Sequence, residues 1–531
     1  MHDRIQEELF RAMENPRFYP HDVRAIERKE THISMVFLTG DRVYKIKKPV
    51  DFGFVDFTSL EKRRWYCHRE VELNRRLSDG VYLEVASITE TGDGFKLGGS
   101  GKPVEYAVVM RQLPNDRVLA SLLSRHEIGE GHILALAERL VRFYEEQGGC
   151  DSALAREAYQ NVSDACEENF RHIEWAAGPV LDPGRFNAIR KATRDFLSRR
   201  RPLFEQRIQT GMIRNAHGDL RTSHVYFIGA QEIHIVDCIE FNERLRHIDV
   251  ASDLAFLSME LDSEKAPHLG AALIENYARA SGDWQAFAVL PFFKCYRAMV
   301  RCKVNCIQID SGEEPDRQKL FRANAERFLE LAGRYADHMS RPCLWVVCGL
   351  PASGKSTISS ELARSLDIAA FHSDRVRKAL FGVEPHVSAG DTFESGIYTA
   401  EATRMTYDRL FHLAGQEMER GRSAVMDATF SRREQRRRAA ALAQSGGWKV
   451  RIVECGAPDE LLRRRLRGRE HKRSVSDARL KHFEIFKRQF EALDTEERAI
   501  GLKVDTSRPL AENVGRVLTW DALIPVGDRA G

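Results

Sequence analysis

The spacing of apolar positions changes character three times along the chain. Over residues 1–115 short alternating runs predict strands: Ile33–Leu38 and Arg42–Lys47 flank Thr39-Gly40-Asp41, a hairpin turn, and Val104–Met110 is a third. Leu60–Leu77 reads as a charged amphipathic helix. From Val118 to Ala336 the helical period dominates, interrupted over Ala216–Asp237 by two short strands, Val225–Ile228 and Ile233–Val236. Ser340-Arg341-Pro342 punctuates the chain. Beyond it, strands at Leu344–Cys348, Ile368–Phe371, Ser423–Met426, Val450–Glu454 and Leu502–Val504 alternate with helical segments. That alternation predicts a parallel five-stranded sheet with helices on both faces. No internal repeat or long low-complexity segment is visible.

Composition narrows the class. A chain of 531 residues exceeds one core, and ~150 residues per domain suggests roughly three or four units. Its 43% hydrophobic and 30% charged residues are those of an ordinary soluble protein, and a net charge of +3 gives no global attraction to nucleic acid or membrane. The start, MHDRIQEELF, lacks the apolar stretch of a signal peptide. Apolar runs such as Ala286–Phe293 fall short of the ~20 residues of a spanning helix, so a cytoplasmic location is expected. The ten cysteines include no C-x-x-C pair; Cys302 and Cys306, with Cys295 nearby, read as reduced, buried thiols rather than a metal site.

Against this background one stretch carries chemistry. Gly349, Leu350, Pro351, Ala352, Ser353, Gly354, Lys355, Ser356 and Thr357 spell GLPASGKST, which fits G-x-x-x-x-G-K-[ST] between an apolar strand and a helix. Backbone amides of such a loop converge on phosphate oxygens, Lys355 adds charge at the β- and γ-phosphates, and Ser356 offers a hydroxyl to Mg2+. Asp374 follows at the next strand end, placed to accept a proton from an acceptor hydroxyl; a helix N-cap is the plainer reading of the same residue. Arg377, one turn on, suits the charge of a substrate. Asp427 ends a third strand and suits the metal. The arginine-rich run Leu462–Arg473 reads equally as a solvated helix or as a closing lid. These residues resemble the small phosphate-loop kinases: gluconate kinase-like, polynucleotide 5′-kinase and zeta-toxin-like enzymes, over about residues 342–510. The resemblance implies ATP-dependent phosphorylation of a hydroxyl.

A second device lies upstream. His217-Gly218-Asp219-Leu220 precedes a strand, and Asp237 follows the next one, so two carboxylates stand on neighbouring loops. The pattern resembles the aminoglycoside and choline phosphotransferases, whose motif is H-G-D-x-x-x-x-N. That resemblance implies Asp219 as base, Asp237 as metal ligand with Glu240 assisting, Lys45 on the phosphates with Lys47 its competitor on the same strand face, Glu70 as ion-pair partner, and Met110–Pro114 as a hinge. The motif's asparagine falls on His224, and imidazole is a poorer Mg2+ ligand than an amide oxygen.

The chain as a whole resembles a bacterial fusion of an aminoglycoside phosphotransferase-like domain with an AAA-type or phosphate-loop ATPase. The expected organisation is a kinase-like N-lobe at 1–115, a mostly helical C-lobe at 116–337 and a phosphate-loop domain at 342–531. The expected activity is bifunctional phosphotransfer with ATP and Mg2+ to a small-molecule hydroxyl. The alternatives are an N-terminal pseudokinase that senses a ligand and regulates a C-terminal ATPase, and a nucleic-acid end kinase, which only the lid and Arg432–Arg438 favour. Loop 381–392, which would shape the acceptor pocket, carries no readable code.

Overall fold

The computed structural model describes residues 2–523 apart from 52, 54, 93, 100, 151, 230–231, 311–314, 385–395 and 471–479. Most of loop 381–392 and the end of the arginine-rich run therefore lie outside the described residues. The chain packs as two compact units, one of residues 1–168 and 204–273, the other of 169–203 and 274–531. The line between them does not follow the punctuation at 340–342.

In the first unit an antiparallel six-stranded sheet runs in the order Glu27–Glu30, Ser34–Leu38, Arg42–Lys47, Pro103–Arg111, Tyr82–Thr91, Gly94–Leu97. The hairpin turn forms as its sequence predicts: Gly40 takes a φ of +99° and the Thr39 amide donates to the Arg42 carbonyl. Alternation buries Met35, Phe37, Tyr44, Ile46, Ala107 and Val109 in one core with Leu9, Phe10 and Met13 of the N-terminal helix His2–Met13. Helix Leu60–Arg75, capped by Ser59, packs on the central strands. The helical part of this unit carries two short antiparallel pairs, Val225–Phe227 with Ile233–Ile235 and Ile213–Asn215 with His247–Asp249. Helix Val250–Ser263 is buried over its first three turns.

The second unit holds a parallel sheet in the order Ala369–His372, Ala424–Asp427, Cys343–Gly349, Lys449–Gly456, Gly501–Asp505. Leu344, Val346 and Cys348 face helices Ala400–Glu419 and Arg433–Ser445. The alternate residues Cys343, Trp345 and Val347 are buried on the opposite face, where helix Lys355–Leu366 packs beside Leu510–Leu523. Burial on both faces explains why the central strand is apolar without a break. Helices Ala286–Asp310 and Pro315–Ser340 pack against each other in the same unit, and the ring of His338 meets Asp521. None of the ten cysteines is in a disulfide, and Cys295, Cys302 and Cys306 are buried. No helix among the described residues is long and apolar enough to cross a membrane.

Part of the basic run 432–438 is spent on this packing. Arg436 is almost wholly buried, donating through Nε and Nη2 to Glu497 at 2.7 and 3.0 Å and through Nη1 to the Phe430 carbonyl. Arg433 and Arg437 meet Asp494, and Arg438 meets Asp408. Removing one partner of a buried pair strands the other charge, so Arg436→Ala should cost about 3–5 kcal/mol. The paired change Arg436→Met with Glu497→Leu should cost far less. Chemical denaturation followed through Trp345 and Trp448 fluorescence checks both.

Candidate functional sites

Residues two apart on a strand share a face, so Arg42–Lys47 sends Lys45 and Lys47 the same way. Both meet Glu70 of helix Leu60–Arg75, Lys45 Nζ at 2.8 Å from Oε1 and Lys47 Nζ at 2.7 Å from Oε2. They diverge beyond it. Lys45 reaches Asp237 Oδ1 at 2.8 Å, whereas Lys47, with no exposed surface, bonds to Glu240. Burial opposes both ammonium charges, but Asp237, Glu70 and Glu240 around Lys45, and Glu240 and Glu70 around Lys47, raise both pKa values above the ordinary lysine range. Glu70 is pushed up by burial and pulled down harder by Lys45 and Lys47, so it stays below the usual carboxylate range. Asp237 is lowered, chiefly by Lys45. Burial raises Glu240, which the fold commits to Lys47 rather than to the metal position expected for it.

The loop carrying Asp219 is held from below. Gly218 has a φ of +86°, and a Cβ there would sit 2.7 Å from the Leu245 carbonyl oxygen, so only glycine fits. Helix Val250–Ser263 contributes two buried carboxylates seven residues apart on one face. Asp253 accepts from the amides of His217 and Gly218, both at 2.9 Å, and from the Tyr144 hydroxyl at 3.0 Å. Glu260 accepts from the Thr222 amide and hydroxyl at 2.9 Å and from Arg221 Nε at 3.0 Å. Sequence reasoning passed over both, although they are the only charges within the apolar run 250–261. His217 is buried, which lowers its pKa, and its Nε2 lies 2.9 Å from the Val236 carbonyl. Asp237 adopts a φ of +64° with its amide donating to the Tyr82 hydroxyl. One ligand atom each from Asp219, His224 and Asp237 lies within 4.8 Å of the others, a spacing that fits one divalent cation.

The second site stands at the carboxyl edge of the parallel sheet, where such sheets bind ligands. Strand Cys343–Gly349 feeds the loop, and helix Lys355–Leu366 opens after Gly354 at φ +84°. Gly349 has a φ of +138°, and a Cβ on it would lie 2.3 Å from the Cys455 carbonyl oxygen. Lys355 Nζ bonds to the Leu350 carbonyl at 2.8 Å, lying across the loop it serves. Leu350 is half-buried, Pro351, Ala352 and Ser353 are buried, and Ser356 and Thr357 are exposed at the start of the helix. Ser356 is thus free to offer a hydroxyl to a cation. Asp427 is paired in register with Val347, two residues before Gly349, and its Oδ2 lies 2.7 Å from His372 Nδ1.

Asp374 sits in the first turn of helix Ser373–Leu380, whose N-cap is His372, so the capping reading of Asp374 does not hold. Arg377 is 7% exposed, donates to the Ile397 carbonyl at 2.8 Å and to Thr403 Oγ1 at 3.1 Å, and stacks over Tyr398. No carboxylate among the described residues pairs with it. In the arginine-rich helix Asp459–Glu470, Arg465 ties the loop down instead of swinging over it: it donates to the Ala352 carbonyl and to Thr506.

Residues 344–493 match the AAA domain family. Rv2004c of Mycobacterium tuberculosis strain H37Rv is 30% identical over 491 residues, which cover 92% of this chain and 94% of the relative. The chain belongs to the family of that mycobacterial protein. Among solved structures, a choline/ethanolamine kinase family protein from Mesorhizobium loti covers 61% of this chain and 99% of its own, at 14% identity and a TM-score of 0.36. A putative kinase from Chloroflexus aurantiacus covers 34% and 96%, at 21% identity and a TM-score of 0.28. The N-terminal part is an antiparallel sheet followed by a mostly helical portion, and the C-terminal part has a phosphate-loop fold, its five-stranded parallel sheet lying in the stretch that matches the AAA domain family.

The glycine geometry yields a direct test. Gly349→Ala puts a methyl group into the Cys455 carbonyl, so the loop must open. ATP affinity at this site should fall on the order of 10²-fold, while Gly382→Ala, also at positive φ but with open space around it, should leave affinity unchanged. Nucleotide titration calorimetry of the two variants distinguishes them.

Proposed function

We propose that this chain is an ATP-dependent phosphotransferase with two nucleotide sites. The observation that carries the reading is the C-terminal strand–loop–helix, with Asp427 ending one strand of the parallel sheet and Asp374 in the helix turn that follows the adjacent strand. Amides of Gly349–Thr357 bind the phosphates and Lys355 leaves the Leu350 carbonyl to meet the γ-phosphate. Ser356, with Asp427 behind it, would hold Mg2+, which would supply neutralising charge on the phosphates. Asp374 takes the proton of the acceptor hydroxyl as its oxygen bonds to the γ-phosphorus, the bond to the bridging oxygen breaks, and ADP leaves. Arg377, which forms no carboxylate ion pair among the described residues, is the residue to hold an anionic group of the acceptor.

In the N-terminal site Lys45, braced by Glu70, is the phosphate lysine, because Lys47 is sealed against Glu240. Asp219 is the base and Asp237 the metal ligand. A small-molecule alcohol is the acceptor class favoured for both sites. A nucleic-acid end is disfavoured because Arg433, Arg436, Arg437 and Arg438 already face carboxylates. The second reading, an N-terminal regulator of a C-terminal ATPase, draws on His224 at the expected asparagine position and on Lys45 bonded directly to Asp237.

The test uses the full chain with γ-labelled ATP and a panel of sugars, sugar acids, aminoglycosides, amino alcohols and nucleic-acid 5′ ends. Lys355→Ala should lower C-terminal transfer on the order of 10²-fold or more. Asp374→Asn should abolish that transfer while ATP still binds, and Asp219→Ala should abolish transfer to a different acceptor. Acceptor-independent hydrolysis that survives Asp374→Asn would make the C-terminal part an ATPase. Transfer wholly indifferent to Asp219→Ala would favour the regulator.

A further inference from the structure

The imidazole of His224 has a defined hydrogen pattern. Its Nδ1 lies 2.9 Å from the main-chain oxygen of Asp219. A carbonyl oxygen only accepts, so Nδ1 carries the hydrogen, and in the neutral ring Nε2 presents a lone pair. That lone pair faces Asp237 Oδ2 at 3.7 Å, and no hydrogen-bond donor among the described residues meets it. Asp237 is divided in the same sense: Oδ1 is occupied by Lys45, and Oδ2 is turned toward His224. Asp219 Oδ2 lies 3.5 Å from Nδ1 of the ring and 3.9 Å from Arg221 Nη1, and one ligand atom each of Asp219, His224 and Asp237 falls within 4.8 Å of the others. Two electron-pair donors facing each other at this distance repel unless a cation lies between them. The backbone bond to Nδ1 is also the outer contact that fixes an imidazole for ligation through Nε2.

We propose that Asp219, His224 Nε2 and Asp237 Oδ2 form a mixed nitrogen–oxygen site that takes a first-row transition divalent cation in preference to Mg2+. Mg2+ favours oxygen ligands and gives up water reluctantly, whereas an imidazole nitrogen strengthens binding of the transition ions. The side chains are accessible enough for an ion to enter, His224 being 13% and Asp219 29% exposed. The inference rests on the reading of Asp237 as the metal ligand of the N-terminal phosphotransfer site, with the neighbouring Asp219, read there as the base, adding a second carboxylate to the group, but metal binding alone decides it.

The probe is Mn2+ added to the full-length chain without nucleotide, followed by electron paramagnetic resonance and competed with Mg2+. One Mn2+ per chain should bind with nitrogen coupling from a directly ligated imidazole. Mg2+ should displace it only at concentrations at least tenfold higher than it needs in His224→Asn. That variant should keep the fold, lose the nitrogen coupling and lower the Mn2+ preference at least tenfold, whereas Asp237→Asn should lose the bound ion. Because His372 lies beside Asp427 in the other site, His372→Gln must leave the nitrogen signal in place. Absence of nitrogen coupling, a Mn2+ preference unchanged in His224→Asn, or no Mn2+ bound at all overturns the proposal; the last is the result expected if Nε2 carries a proton to Asp237. A nitrogen-coupled ion in a chain that transfers no phosphate counts against the proposed function and leaves this inference standing.

Discussion

A charge taken out of water has to meet an opposite charge or a full set of hydrogen bonds, and this constraint organises both halves of the molecule. Beneath the N-terminal sheet, Glu70 has no exposed surface and bridges Lys45 and Lys47, which in turn reach Asp237 and Glu240. Strand, helix and the loop after Ile233–Ile235 are thereby fixed to one another by groups that none of them can leave unpaired. The helix behind the Asp219 loop obeys the same rule, since Asp253 is satisfied by loop amides and the Tyr144 hydroxyl, and Glu260 by the Thr222 amide and hydroxyl together with Arg221. Among the described residues the pairing is least complete at Asp237 Oδ2, opposite Nε2 of His224, and at the buried guanidinium of Arg377, which donates to a carbonyl and a hydroxyl but forms no carboxylate ion pair.

The C-terminal site was largely legible in the linear chain because its parts are local. A phosphate loop needs an apolar strand, two glycines at positive φ and a helix that starts at the lysine, all within about twenty residues. Predicted strand Leu344–Cys348 became Cys343–Gly349, Asp427 ends its strand, and Asp374 lies two residues beyond the end of Ala369–His372, in the first turn of the next helix. What stayed hidden was contributed from afar. Thr506 and Arg465 hold the loop, and His372 holds Asp427, through contacts that no spacing encodes.

The N-terminal site was legible as a set of residues but not as a geometry. Periodicity puts Lys45 and Lys47 on one face; it cannot say which lies deeper, because Asp237 and Glu240, some 190 positions away, decide it. Strand Glu27–Glu30 is exposed at every position and so shows no alternation; its partner strand Ser34–Leu38 defines it. The run Arg432–Arg438 shows the limit of a linear reading from the other side. In one dimension it is a basic cluster, but a helix distributes its faces, and Arg436 turns inward to Glu497.

Two separate charge-lined sites on one chain make the claim of two nucleotides per molecule the centre of this account. Equilibrium dialysis of the full-length chain with a labelled non-hydrolysable ATP analogue, at saturating divalent cation, measures it directly. The account predicts two nucleotides bound per chain, falling to one when either Lys45 or Lys355 is replaced by methionine and to none when both are. One nucleotide per chain in the unaltered protein, insensitive to Lys45→Met, would contradict it.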